Sequence, residues 1–205
     1  MSRTVLRYGD RAVLVELGAP AEVLPIRDWL VRQGNPAVLT VTPAARTLLV
    51  EFDPALLSEA GLRELLDAAA DAPATGATAG EPVRLPVRYD GADLDAVAEA
   101  AGLSRDAVVA LHSGADYTVQ FCGFSPGFGY LTGLPERLRL PRLASPRASV
   151  PAGSVAIAGE FTGVYPRPSP GGWRLLGTTD APLFTLDADP PARLAPGTRV
   201  RFVPR

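Results

Sequence analysis

The stretch FCGFSPGFGYLTGLP, residues 121–135, decides how the second half of the chain is read. Its segment GFSPG (123–127) matches the G-x-S-x-G pattern of serine-hydrolase nucleophile elbows. In such an elbow the residue after the serine donates its backbone N–H to the oxyanion, and the histidine follows the serine along the chain. Here the next residue is Pro126, which has no N–H, and the one histidine, His112, precedes Ser125. Ser125 therefore reads as part of a turn, with Pro126 at the first corner and Gly127 at the second. The same composition continues downstream, where ten glycines and eight prolines fall within 123–177. Short apolar pieces such as VAIAG and WRLLG sit between turns and no helical period survives. That is the pattern of a small β-barrel or sandwich with long shaped loops. At the C-terminal end, APGTRVRFVPR reads as a Pro-Gly turn and a closing strand.

Upstream, the pattern is different. TVLRY and RAVLVEL alternate as strands around Gly9-Asp10. AEVLPIRDWLVRQG places Val23, Leu24, Ile26, Leu30 and Val31 near one helical face and stops at Gly34, with Pro25 in or before the first turn. AVLTV and TLLVEF read as two further strands, and SEAGLRELLDAAAD as a helix with Ser58 at its N-cap. The order β-β-α-β-β-α predicts a small α+β domain with both helices on one sheet face over residues 1–75. DAPATGATAGEP lacks apolar periodicity and marks a linker at 76–82. Residues 83–205 form the second domain, opening with the strand VRLPVRYDG. Two short helices capped by Asp93 and Ser104 follow, and DYTVQF returns to strand.

Composition removes several function classes. The chain has 205 residues, 20 basic and 22 acidic side chains, and all of the basic ones are arginine. A near-neutral balance without charge runs argues against nucleic acid as a partner. No 18-residue apolar run and no signal-peptide core occur, so no membrane association and a cytoplasmic location are expected. The single cysteine, Cys122, allows no internal disulfide. Without lysine there is no phosphate-loop lysine, no Schiff base and no biotin attachment on this chain. One His and one Cys cannot make a His/Cys zinc site; a carboxylate-rich magnesium site stays open, and no residue is assigned as a metal ligand.

Taken together, GFSPGFGYL, PRASVPAGSVAIAG (146–159), TGVYP (162–166) and SPGGW (169–173) closely resemble the signature blocks of the KipI family. This family is also described as the B subunit of 5-oxoprolinase (PxpB) or as allophanate hydrolase subunit 1. GDRAVLVELG (9–18) and LHSGADYTVQF (111–121) extend the resemblance over nearly the whole chain. It implies a small N-terminal α+β domain followed by a cyclophilin-like β-barrel. It also implies a component, inactive alone, of an ATP-dependent 5-oxoprolinase that hydrolyses 5-oxo-L-proline to L-glutamate. The implied partners are a related KipA-type chain, the C component of such complexes, and a LamB/YcsF-type chain. ATP, with Mg, would be handled by the complex and not bound tightly by this chain alone. The alternatives are a KipI-like inhibitor of a sensor histidine kinase, or a carboxyl-transfer component acting with a biotin carrier on another chain. Phe161, where a polar Gln is expected, and Thr178, where many relatives have Arg, depart from the family pattern.

Several residues carry the candidate chemistry. Arg142 and Arg147 could hold a carboxylate or phosphate through a guanidinium fork, or pair with surface acids. Phe124, Phe128, Tyr130 and Trp173 could wall a cleft or an interface, or pack a barrel core. Tyr165 and Ser169 suit a polar pocket rim. The signature blocks add Ser154, Thr162, Gly171 and Gly172 to the substrate-binding candidates. Glu160 is the one acid within FCGFSPGFGYLTGLP, PRASVPAGSVAIAGEFTGVYP and SPGGWRLLGTT and a general-base candidate, or an ordinary solvated side chain. His112 is the second catalytic candidate, or a capping imidazole at a helix end. Cys122 reads as a small buried hydrophobe.

Overall fold

The amphipathic patterns of the first half become a four-stranded antiparallel sheet with two helices. In this computed structural model, which describes residues 3–72 and 81–205, the chain divides into two units, Met1–Ala79 and Gly80–Arg205. Most of the expected linker at 76–82 lies outside the described residues.

In the first unit, strands β1 (Thr4–Arg7), β2 (Ala12–Glu16), β3 (Val38–Pro43) and β4 (Thr47–Phe52) are ordered β1-β2-β4-β3. Helices α1 (Val23–Gln33) and α2 (Glu59–Asp71) cover one face. Val13, Val15, Leu48, Val50 and Phe52 alternate onto that face and pack with Ile26, Leu30, Leu62 and Leu66. Ser58 caps α2 by accepting the Gly61 N–H at 3.1 Å, and α1 stops at Gly34 with φ 59°. The apolar stripe of α1 is narrower than the sequence indicates. Val31, one residue past Leu30 and so about 100° around the helix, is 55% exposed.

The second unit wraps seven strands in the order β12-β9-β10-β7-β6-β13-β5. They are β5 (Val83–Val87), β6 (Tyr117–Cys122), β7 (Gly129–Thr132), β9 (Ser154–Ala158), β10 (Phe161–Val164), β12 (Arg174–Thr178) and β13 (Arg199–Pro204). The two ends meet through paired backbone bonds between Arg88 and Thr178, so the sheet is nearly closed and barrel-like. A two-stranded sheet of β8 (Arg147–Val150) and β11 (Ser169–Gly171) lies outside it.

Helices α3 (Leu94–Ala101) and α4 (Arg105–Gly114) pack through Leu94, Val97 and Val108 into one core with Leu131, Val155, Ile157 and Val164. Alternate residues of the same strands feed a second cluster containing Phe128, Ala156, Ala158, Tyr165, Trp173 and Leu175. Ser104 caps α4 as expected, accepting the Ala107 N–H at 3.2 Å. Asp93 occupies the cap position of α3 but makes no capping bond. Its carboxylate is drawn instead to the Leu175 N–H at 2.7 Å and to Arg147.

Candidate functional site

The loop after β6 is built from two consecutive turns. The Ser125 N–H donates to the Gly123 carbonyl at 2.7 Å, closing a γ-turn around Phe124, whose φ is +67°. The Phe128 N–H then donates to the Ser125 carbonyl at 3.0 Å across Pro126 and Gly127. Gly127, at φ 83°, supplies the positive φ that the second corner of a type II turn requires. The Ser-Pro-Gly turn legible in the sequence is therefore present. It sends Phe128 and Tyr130 onto the face of the sheet opposite α3 and α4.

On that face the aromatic rings meet edge to face. Phe128 lies 5.4 Å from Trp173 at 86° and 5.3 Å from Tyr165 at 80°. Phe124 approaches Phe128 at 5.3 Å and Tyr165 at 6.1 Å from the solvent side. These rings, with Tyr130, Pro170, Gly171 and Gly172, line a cleft of about 80 Å³. That is room for a handful of water-sized groups. The hydroxyl end of the Tyr165 ring abuts Gly171, so that a Cβ there would sit 2.9 Å from its Cζ. Burial pushes the Tyr165 hydroxyl pKa up, opposed by a bond to the Trp173 backbone and by the charges of Arg142 and Arg147.

Arg142 is the one charged side chain lining the cleft. Its position is set from both sides. The Pro141 carbonyl accepts from Arg174 Nε at 3.0 Å, and the Leu143 N–H donates to the Gly172 carbonyl at 2.7 Å. No ion pair involves Arg142 among the described residues, so its guanidinium remains available to an anion.

Arg147 is placed differently. Its Nη2 donates to Asp93 Oδ1 at 2.7 Å, with the Asp93 side chain only 10% exposed. The cleft thus gathers Phe124, Phe128, Tyr130, Arg142, Tyr165, Gly171, Gly172 and Trp173 from the sequence candidates. The others lie apart from its lining. Ser154 is buried in β9, and the Ser169 hydroxyl donates to the Arg167 carbonyl at 3.0 Å. Glu160 is exposed on the turn between β9 and β10. Pro170 was not among the candidates, although it sits inside SPGGW between residues that were.

His112 and Thr162 form a separate, fully buried pair. Thr162 Oγ1 donates to the Ala156 carbonyl at 3.0 Å, so it accepts from His112 Nε2–H at 3.0 Å. His112 Nδ1 is then the acceptor for the Tyr89 hydroxyl at 2.9 Å. Burial lowers the imidazole pKa from 6.5 to about 3 and raises that of Tyr89. The ring is a neutral link between α4 and β10.

The cleft can orient a small anion through Arg142 and exclude water with aromatic walls. It does not fit a nucleoside triphosphate, since typical ligand pockets span about 300–1,000 Å³ and this one is far smaller. Among the described residues no group of three or more His, Cys, Asp or Glu is placed to hold a metal ion. Nor is any described helix long and apolar enough to cross a membrane.

The family model "Carboxyltransferase domain, subdomain C and D" matches residues 3–194. The chain is 54% identical over 126 residues to the B subunit of 5-oxoprolinase from Escherichia coli O157:H7 and 47% identical over 124 residues to that of Bacillus subtilis (strain 168). These matches take in 60% and 59% of this chain but only 58% and 52% of those relatives' own length. Among solved structures, TTHA0988 is similar at 42% identity and a TM-score of 0.81, over 95% of this chain and 40% of that one. The conserved uncharacterized protein PH0987 from Pyrococcus horikoshii is 36% identical with a TM-score of 0.60, over 98% of this chain and 97% of that one. The Kluyveromyces lactis urea carboxylase shares the fold at 21% identity and a TM-score of 0.74, over 99% of this chain and 22% of that one.

Proposed function

The chain belongs to the KipI family of carboxyltransferase C-and-D domains, which includes the B subunits of 5-oxoprolinase, and from that premise we propose that it is the B-type component of an ATP-dependent 5-oxoprolinase. The complex would open 5-oxo-L-proline to L-glutamate in the cytoplasm, and the second unit of this chain would be a cyclophilin-like barrel. The observation that carries this reading is Arg142, whose neighbours Pro141 and Leu143 are each anchored by a hydrogen bond and which has no ion pair among the described residues, at an aromatic cleft. A ring the size of 5-oxoproline would place its carboxylate on that guanidinium and its apolar edge on Phe128, Tyr165 and Trp173.

A charged hydrogen bond of this type contributes about 1.5–3 kcal/mol, enough to fix the orientation of a small acid. Phosphoryl activation of the lactam would fall to partner chains, one of KipA type and one of LamB/YcsF type, with ATP and Mg bound there; the small size of the cleft supports this division. This chain would hold and desolvate the acid while the partners supply the reacting groups, which makes it inactive alone. His112 and Arg147 take structural parts in this scheme. Glu160, exposed outside the cleft, would need a partner surface to bring it to substrate.

The test is co-expression of this protein with its partner chains and an assay of 5-oxoproline-dependent ATP hydrolysis. The reading requires activity in the full mixture and loss of activity when this chain is omitted. Equal turnover without it overturns the proposal.

A further inference from the structure

Two unfavourable features fall on consecutive residues at the mouth of the cleft. Phe124 holds φ at +67°, a region that bulky side chains rarely enter, inside a γ-turn of the strained hand. The residue is 56% exposed, so burial compensates little for that conformation. Next to it, Ser125 Oγ is buried with no hydrogen-bond partner among the described residues. Glycines stand on either side, at 123 and 127, yet the position that most needs one carries a phenylalanine. Strain of this kind persists where the surroundings impose it, and it concentrates at ligand clamps and switch segments.

The surroundings also show which part of the loop is free to move. Gly127 is pressed against Phe184, so closely that a Cβ would lie 2.7 Å from that residue's Cβ. The type II turn behind it is fixed by the Phe128 N–H bond to Ser125 O. Gly123 is anchored by its N–H bond to Phe128 O at 3.2 Å, so Phe124 is left between two anchored residues, its γ-turn closed by the bond from Ser125 N–H to Gly123 O. Rotation of Phe124 to negative φ breaks that bond and swings the ring away from Phe128 and Tyr165, which form the floor beside Arg142.

We propose that Phe124 is a gate over the Arg142 cleft, sprung by its own backbone, which opens to admit a small monocarboxylate and closes its ring over it. The proposal rests on the reading of the cleft as a ligand site. Relief of the positive φ favours the open form, while ring contacts with Phe128 and Tyr165 favour the closed one. Two nearly balanced conformations are what a gate of this kind requires.

The full chain provides the test without any ligand. With Trp29→Phe as background, Trp173 is the only tryptophan, and it lies buried in the cleft wall. Iodide, an anion drawn to Arg142, then reports access to the cleft by quenching Trp173 fluorescence. Phe124→Gly and Phe124→Ala both remove the ring and are expected to raise the quenching constant about threefold. The pair also separates strain from ring contact, because glycine tolerates positive φ and alanine does not. Phe124→Gly is expected to melt about 3 °C above Phe124→Ala. In a relaxed backbone the order reverses, since glycine has the greater unfolded entropy.

Unchanged quenching in both variants, or alanine melting at or above glycine, overturns the gate. Addition of 5-oxo-L-proline to the background protein tests the underlying reading separately. Protection of Trp173 from iodide supports a carboxylate ligand; its absence, with the variant results intact, removes that ligand but keeps the gate.

Discussion

His112 and Thr162, separated by 50 residues in sequence, share a buried hydrogen bond of 3.0 Å that ties α4 to β10. Gly163, next to Thr162, lies beneath Phe128 and Trp173. The imidazole therefore supports the cleft from the opposite side of the sheet.

Its pKa gives a pH dependence with a definite sign. Burial lowers the pKa from 6.5 to about 3, so between these values the unfolded chain binds a proton that the native chain excludes. The contribution of His112 to stability is complete above the unfolded pKa and falls as the pH drops, by at most about 1.4 kcal/mol per pH unit. His112→Gln is expected to be less stable than the native protein at pH 7 by about 2 kcal/mol, with the gap shrinking as the pH falls below 6.5 and closing near about pH 5. Urea unfolding of both proteins across this range measures it; a gap independent of pH rules the assignment out.

The two arginines of the PRLASPR segment are expected to behave oppositely. Arg142→Ala leaves the melting temperature unchanged and weakens binding of 5-oxoproline by about 10- to 100-fold. Arg147→Ala strands the Asp93 carboxylate, which is 10% exposed, and lowers stability by about 3 kcal/mol. Thermal melts and ligand titrations on the same samples separate the two. A loss of binding without a loss of stability in Arg147→Ala would falsify the division.

Gly171→Ala places a methyl group against the Tyr165 hydroxyl and Cζ. Overpacking of this sort is expected to cost about 1–3 kcal/mol. Removal of the hydroxyl in Tyr165→Phe should recover part of that loss, so the double mutant lies closer to native than the sum of the singles. Strict additivity in chemical denaturation would show that the two residues do not meet.

Ser125→Ala separates a turn residue from a nucleophile. Its Oγ is buried without a hydrogen-bond partner among the described residues, so its removal is expected to raise stability by about 1 kcal/mol. Turnover of the assembled complex persists if the serine only shapes the loop. Complete loss of turnover in a normally folded variant would restore the hydrolase-like interpretation of GFSPG.

Local chemistry decided whatever could be read within a few residues. Ser58 and Ser104 cap their helices, Gly34 ends α1, and Pro126-Gly127 makes its turn, because each depends on backbone geometry within four positions. The absence of lysine excluded whole classes of chemistry outright. Partner choice among charges and rings was not legible. Arg142 and Arg147 look alike in PRLASPR, yet one meets Asp93 across 54 residues and the other faces an open cleft. Asp93 reads as a helix cap until the fold brings Leu175 and Arg147 to its carboxylate. His112 reads as a catalytic candidate until Tyr89 and Thr162 occupy both ring nitrogens. Backbone preferences act over one turn of chain and are written in the sequence, whereas electrostatic pairing and burial depend on which distant segments the closed sheet brings within about 3 Å. The tertiary structure alone decided that one arginine would hold the fold together and the other would face the cleft.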